Sequence, residues 1–546
     1  MQSNHIRTIL WTLAALSAAA PAMASVADHR EFDATLHAPY QGEKLHSGAR
    51  TFTLTFEYPM SEAAHPVHWR VELIAPGGKT VQHWRGALTL KGRPATVSLK
   101  WGGRRNAASM PDGVYRVRMR ARAHGEAIEQ SWDIAVGKRP AAAMPAFGAM
   151  ATGPASSAAR GPLQPSAAPA AASLPFTVYF ANLHSQTNHS DGGGDLANCK
   201  GAQAPQGGAQ GPLEAYAFAQ ARGLDALMAS EHNHMYDGSD GSNPEASADA
   251  AKALYQRGLS TAASFSEANP GFLAMYGMEW GVINNGGHLN IFNAPELLAW
   301  ERDAKGELIG DTPTAKGDYG ALYRLMRQRG WIGQFNHPSI GGQFQVNGVA
   351  MGYTKDGDEA MALCEVLNTS AFSTNTQEGE TRRSNYEMAC NKALEAGYHV
   401  AFSSNQDNHC ANWGASYTNR TGVLIPNGTA LTQASFVEAL KARRVFATMD
   451  KNSQLVLTAN GQPMGSRITN SGPLRLIANY ANTEGRTVAS VSIIEGVPGR
   501  NGTVSEAAAT ADATLTPAPG EHFYYARITQ DDGKILWSAP IWVTQQ

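Results

Sequence analysis

Polar and apolar positions alternate along the first third of the chain. Thr51-Phe52-Thr53-Leu54-Thr55-Phe56 does so, as do Trp69-Arg70-Val71-Glu72-Leu73 and Tyr115-Arg116-Val117-Arg118-Met119. A period of two, broken by Pro-Gly and Asp-Gly turns, predicts antiparallel strands with one buried face. Residues 30–137 are therefore expected to form an N-terminal β-sandwich. The arginines on these strands (Arg116, Arg118, Arg120) read as a solvated face rather than a ligand patch.

From residue 174 to 450 the pattern changes to strand-like runs alternating with helix-like ones. Phe176–Phe180, Ala226–Ala229, Phe272–Tyr276, Trp331–Phe335, Leu363–Leu367 and His399–Ser403 read as strands. Leu213–Arg222, Ala246–Ala263, Tyr319–Arg329 and Asn385–Ala396 read as helices. That alternation predicts a parallel sheet of α/β type. Residues 451–546 return to β character, with Asn-Gly, Ser-Gly, Pro-Gly and Asp-Gly turns between apolar runs. A C-terminal β-sandwich is expected there.

Between the first two regions, residues 138–173 are almost entirely Ala, Pro, Ser and Gly. Such a segment buries too little surface to offset its chain entropy, so a flexible tether is expected. The N-terminal β-domain would then be a dispensable appendage. The first 24 residues have the form of an export signal: Arg7, the apolar run Ile9–Ala20, and the small-x-small site Ala22-Met23-Ala24. The run is too short to span a bilayer, and no later stretch is long and apolar enough to do so. A periplasmic or secreted protein without a membrane span is expected.

Composition adds little to this and excludes one class. Charged residues make up 16% of the 546 and the net charge is −2, which gives no overall electrostatic reason for nucleic-acid binding. The four cysteines, Cys199, Cys364, Cys390 and Cys410, lack C-x-x-C spacing. In an exported protein they read as two disulfides, with three connectivities open.

The candidate chemistry lies where the central strands end. Five stretches follow apolar runs: HSQTNHSDG from His184, SEHNH from Ser230, GMEWGVINNGGHLNIF from Gly277, NHPS from Asn336 and QDNH from Gln406. Imidazole nitrogens and carboxylate oxygens together suit zinc, manganese or iron. Strands of one barrel would bring them to its carboxyl-terminal mouth.

In order and spacing these motifs resemble the polymerase-and-histidinol-phosphatase (PHP) family of metallohydrolases, and its exported, carbamate-hydrolase-like branch in particular. The resemblance covers about half the chain. It implies a distorted seven-stranded β/α barrel, here flanked by two β-sandwiches; the stretch from Trp101 through Tyr115 resembles immunoglobulin-like modules. It also implies two or three divalent metal ions held by His184, Gln186, Asp191, His232, Glu279, His288, His337, Asp407 and His409. Gln186 stands where the family has a second His. The resemblance makes Glu279 the bridging ligand, with His184 and Asp407 on one metal, His288 and His337 on a second, and Asp191, His232 and His409 on a third. Glu279, His337 and Asp407 are the expected catalytic residues.

Arg382 and Arg383 are adjacent cations in a polar loop that could clamp a phosphate, and His234 is a candidate substrate contact. Glu231 is expected to orient a neighbouring His, and His189 to lie beside the ligands or at the surface. The function this implies is an exported metal-dependent hydrolase acting on a small ester, a phosphoesterase first. A carbamate, carboxylic ester or amide hydrolase with the same machinery is the alternative. A non-catalytic surface or carbohydrate-binding protein is the rival from another class. Oligomeric state is left open.

Overall fold

The computed structural model describes residues 32–42, 48–58, 63–103, 110–123, 125–138, 141–160, 173–283, 286–339, 343–500 and 504–546. The expected export signal lies outside them. Among the described residues no helix is long and apolar enough to cross a membrane.

The alternating N-terminal segments form two facing sheets. One joins Asp33–His37, Arg50–Glu57 and Ala95–Trp101. The other runs Thr80–Lys91, Ala64–Ile74, Gly113–Ala123, Glu126–Val136. Phe52, Leu54 and Phe56 point inward from one, and Val71, Leu73, Tyr115, Val117 and Met119 from the other. Side chains alternate across a strand, so the period-two positions become the core.

The central region departs from the expected fold. A seven-stranded β/α barrel between two self-contained sandwiches does not form. Phe176–Asn182, Ala226–His232 and Leu273–Trp280 are parallel neighbours. Leu289–Ile291 then runs antiparallel to both Leu273–Trp280 and Gly333–Phe335. Met361–Thr369 and Ala401–Asn405 resume the parallel direction. Arg420–Pro426 lies antiparallel to Phe176–Asn182 and to Val445–Thr448. Antiparallel neighbours need no crossover helix, and that is why strand outweighs helix here.

Nor is the C-terminal region a separate sandwich. Val445–Thr448 pairs with Ile535–Ser538, which pairs with Gly520–Gln530, so one hydrogen-bonded network runs through both regions. A four-stranded sheet of Gln462–Pro463, Ser453–Ala459, Leu474–Asn482 and Asp512–Leu515 stands beside it.

The expected tether is also partly structured. Ala151–Thr152 pairs in parallel with Phe176–Asn182, and Pro154–Arg160 is a short helix. Met150 is buried, and its backbone exchanges hydrogen bonds of 2.8 and 3.0 Å with the Gln454 side chain. Met150 and Gln454 satisfy each other's polar groups, and this offsets the ordering entropy that composition alone leaves uncompensated. Residues 161–172 of the tether lie outside the described residues.

Two disulfides form, Cys199–Cys410 and Cys364–Cys390. The first joins positions 211 residues apart and ties the loop after His184 to the turn carrying His409. Cross-links of this kind typically contribute about 2–4 kcal/mol.

Polar contacts lock the N-terminal sheet to the rest. The Arg527 guanidinium donates to Asp133 at 2.6 Å and to Glu387 at 3.0 Å, all three side chains being buried. Asn385 donates to the Gln130 side chain at 2.6 Å and to the Ser131 carbonyl at 2.9 Å.

Candidate metal centre

Local structure carries each expected ligand to one place. His232 ends its strand and sits in register with Glu279 on the next. His288 precedes the antiparallel strand that follows. His337 and Asp407 leave their strands with φ of 26° and 50°. Non-glycine residues adopt this region at a cost of about 1–3 kcal/mol, and such positions cluster at functional sites. Two backbone bonds, Asp407 N–H to His184 O and Gln186 N–H to Asn408 O, both 2.9 Å, join the first motif to the last.

The eight His, Asp and Glu candidates converge in the interior, none more than 7% exposed. His184 Nε2 lies 3.0 Å from Glu279 Oε2 and 3.0 Å from Asp407 Oδ1. His288 Nδ1 and His337 Nε2 approach Glu279 Oε1 at 3.2 and 3.3 Å. His232 and His409 reach Asp191 Oδ1 at 3.6 and 3.4 Å. Three groups could each hold one cation: His184, Glu279 and His337; His232, Glu279 and His288; Asp191, His232 and His409. Glu279 belongs to two of them. The third matches the grouping the motifs implied, while His337 and His288 fall into different groups rather than sharing one, and Asp407, expected to share a metal with His184, belongs to none of the three.

The electrostatics suit cations. Burial pushes the Glu279 carboxyl up, but His184, His288 and His232 outweigh it and hold it well below the usual carboxylate range. Burial likewise opposes ionisation of Asp407, which His184 and His409 overcome. Burial lowers the His409 imidazole less than Asp191 and Asp407 raise it, to about 10. Glu231, beside His232, behaves differently. Burial raises it to about 7, against hydrogen bonds from Ser190 and Thr187. It accepts from the Thr187 backbone and from both hydroxyls, at 2.5–3.0 Å, so it holds the loop between His184 and Asp191 rather than orienting a His.

Gln186 reaches the cluster as well. Its Nε2 donates to Glu279 Oε2 at 2.6 Å, and its buried Oε1 meets no hydrogen-bond donor among the described residues. That orphaned oxygen and the mixed imidazole–carboxylate donor set fit divalent cations.

The expected substrate contacts do not hold. Arg382 pairs with Glu57 at 3.2 Å and with Glu380 at 3.4 Å. The Arg383 guanidinium lies over the Trp132 and Tyr417 rings, 5.4 and 4.2 Å from their centroids. Neither lines the cleft above the cluster. His234 is buried, lies 3.3 Å from Asp240, stacks on Trp300 and is also absent from the cleft wall. His189 is held by Tyr276, with Nδ1 2.6 Å from the hydroxyl.

The cleft wall contains residues the sequence did not suggest. Asp33 and Glu57, paired on neighbouring strands of one N-terminal sheet, reach it and join Asn368, Phe372 and Tyr386, with His288 and His337 also in its lining. Around the ligands stand Asn336, which donates to Glu279 Oε1 and Asn290 at 2.8 Å each, and the buried Glu365. Asn336 adjoins His337 within its motif, and that adjacency was an available signal.

No family model matches the chain. An uncharacterised protein of Chlamydia pneumoniae is 30% identical over 131 residues, which cover 20% of this chain and 21% of that one. This chain thus spans about a fifth of that relative's length. Among solved structures, a β-glucuronidase of Bacteroides uniformis is 10% identical with a TM-score of 0.16, covering 94% of this chain and 61% of that one. A glycosyl hydrolase family 2 member from Bacteroides cellulosilyticus is also 10% identical with a TM-score of 0.16, over 95% and 64%. The chain spans less than two thirds of either structure. Likeness at that level carries no argument about this molecule.

Proposed function

We propose that the chain is a metal-dependent hydrolase of a small acyl substrate: a carboxylic ester, carbamate or amide. The observation that carries this is the convergence of seven His, Asp and Glu side chains into three overlapping donor groups beneath one cleft, with Asp407 beside His184. The motif-level resemblance to PHP metallohydrolases supports the same reading.

His184, His337 and Glu279 would hold one cation, His232, His288 and Glu279 a second, and Asp191, His232 and His409 a third. Bound there, divalent cations supply Lewis acidity, polarising a substrate oxygen and lowering the pKa of water to near neutral. The chain's own part is orientation and charge. Glu279 faces two cation positions with one carboxylate, and Asn336 and Gln186 fix its two oxygens by donating to them. Phe372 and Tyr386 add aromatic surface to the cleft wall. Arg383 is stacked on two aromatic rings, and Glu57 at the cleft wall already pairs with Arg382; this engagement supports an acyl substrate over a phosphate ester, because a substrate phosphate draws on free cationic side chains. A phosphate ester stays as the second reading, since three cations would themselves supply positive charge. The two disulfides support an oxidising, exported setting.

Elemental analysis of the purified chain, with a panel of p-nitrophenyl acetate, carbamate and phosphate, tests this. Bound divalent metal and chelator-sensitive hydrolysis of the acyl members are expected. Metal-free protein that stays inactive when manganese or zinc is supplied would refute it.

A further inference from the structure

We propose that Glu365 is the positioning residue of the centre: one carboxylate that sets which nitrogen of His184 faces the cations and anchors the strained turn at His337. This rests on the metal reading above and adds a residue outside the nine ligand positions.

Glu365 lies in the strand Met361–Thr369 and is wholly buried. His184 Nδ1 stands 3.2 Å from its Oε1 and 3.4 Å from its Oε2. The His337 backbone N–H donates to Oε2 at 2.7 Å. Asn405 and Asn368 donate from their amides at 3.0 and 3.4 Å. Among the described residues its one ion-pair partner is His184.

Glu365 accepts from the His337 N–H and from both amides, and as an acceptor toward His184 as well it selects the tautomer with the proton on Nδ1. The Nε2 lone pair would then be available to a cation that Glu279 and Asp407, each 3.0 Å from Nε2, also face. An outer carboxylate behind a ligating imidazole fixes its tautomer and raises its basicity. The same carboxylate grips the N–H of His337, whose φ of 26° needs an external restraint. Two ligands from motifs far apart in the chain thereby share one anchor. Glu365 touches two members of the His184, Glu279 and His337 group and none of the Asp191, His232 and His409 group.

The test is calorimetric titration of Mn²⁺ into chelator-stripped full-length protein, wild type against Glu365→Gln and Glu365→Asp. In Glu365→Gln one class of site should weaken by about 10–100-fold, with the other classes unchanged. Glu365→Asp keeps the charge and should regain part of the lost affinity, a rescue that a merely structural role does not produce. The inference is overturned by wild-type binding in Glu365→Gln, by equal weakening of every class, or by an Asp variant no better than Gln. If Glu365→Gln does not fold, Asn405→Ala removes one donor from the same carboxylate and should show the same selective weakening in smaller degree; unchanged affinity there also overturns it. A wild-type protein that takes up no Mn²⁺ or Zn²⁺ fails the metal reading itself, and the role of Glu365 falls with it.

Discussion

Glu279 shows what single residues decide here. It is the one carboxylate that two donor groups share, so Glu279→Gln should lower turnover by more than the about 100-fold that loss of an outer partner costs. Measured kcat, with metal content determined in parallel, checks this; near-wild-type turnover in metal-loaded mutant protein would remove Glu279 from the role. A second residue titrates in a useful window. Burial, with Arg257 adding to it, holds the His189 imidazole down to about 4. A depressed imidazole contributes stability that is present above about pH 6.5 and lost as pH falls through 4, because the unfolded chain binds the proton first. The shift corresponds to at most about 3 kcal/mol. Urea unfolding between pH 4 and 7 should show a shallower fall in His189→Gln than in wild type. Much of the ligand set was legible as residue type, since His, Asp and Glu after apolar runs stand out. Glu365 was not: within MALCEVLNT it reads as one polar position of a strand. The fate of Arg382 was hidden too, because its partner Glu57 lies 325 residues away.

Elements were legible where their punctuation is local. The helix Tyr319–Arg329 falls where its apolar spacing put it, with Asp318 accepting from Ala321 N–H at its start and Gly330 at φ 71° at its end. The strands that carry ligands were found as well, but not their company. Leu289–Ile291 and Arg420–Pro426 are short antiparallel returns whose direction depends on neighbours distant in sequence, and missing them made the sheet look purely parallel. Close approach of two of these strands gives an element-scale prediction. A Cβ on Gly277 would sit 2.4 Å from the Ile291 carbonyl oxygen and 2.5 Å from the Met228 methyl. Gly277→Ala should therefore push apart the strands that carry Glu279 and His288, costing about 1–3 kcal/mol. A lowered Tm with reduced metal content is the expected result, and wild-type values in both would refute the close approach.

For the whole molecule, the sequence suggested an appendage on a tether, and the structure joins that appendage to the site. Composition reports on solvation, but not on whether Met150 finds a partner in Gln454. A chain beginning near Ala172 loses Asp33 and Glu57 from the cleft wall and Asp133 from Arg527. It should lose activity and solubility; full activity would show the contacts to be idle. A finer test is Asp133→Asn. Burial raises the Asp133 carboxyl less than Arg527 and Arg116 lower it, to about 2. Its contribution is present above about pH 3.8 and lost as pH falls through 2. Breaking a buried pair of this kind costs about 3–5 kcal/mol, so the variant should unfold at lower urea at neutral pH and approach wild type in acid.

The bond between Asp133 and Arg527 spans 394 residues, and that distance has a meaning in time. Chains are made at roughly 5–20 residues per second, so Asp133 exists well before its partner. His232, Glu279 and His288 all fall within the first 288 residues, whereas His409 lies in the last third of the chain. The polar lock on the N-terminal sheet is thus completed by residues near the far end of the chain, and a truncation there would leave Asp133 without its partner.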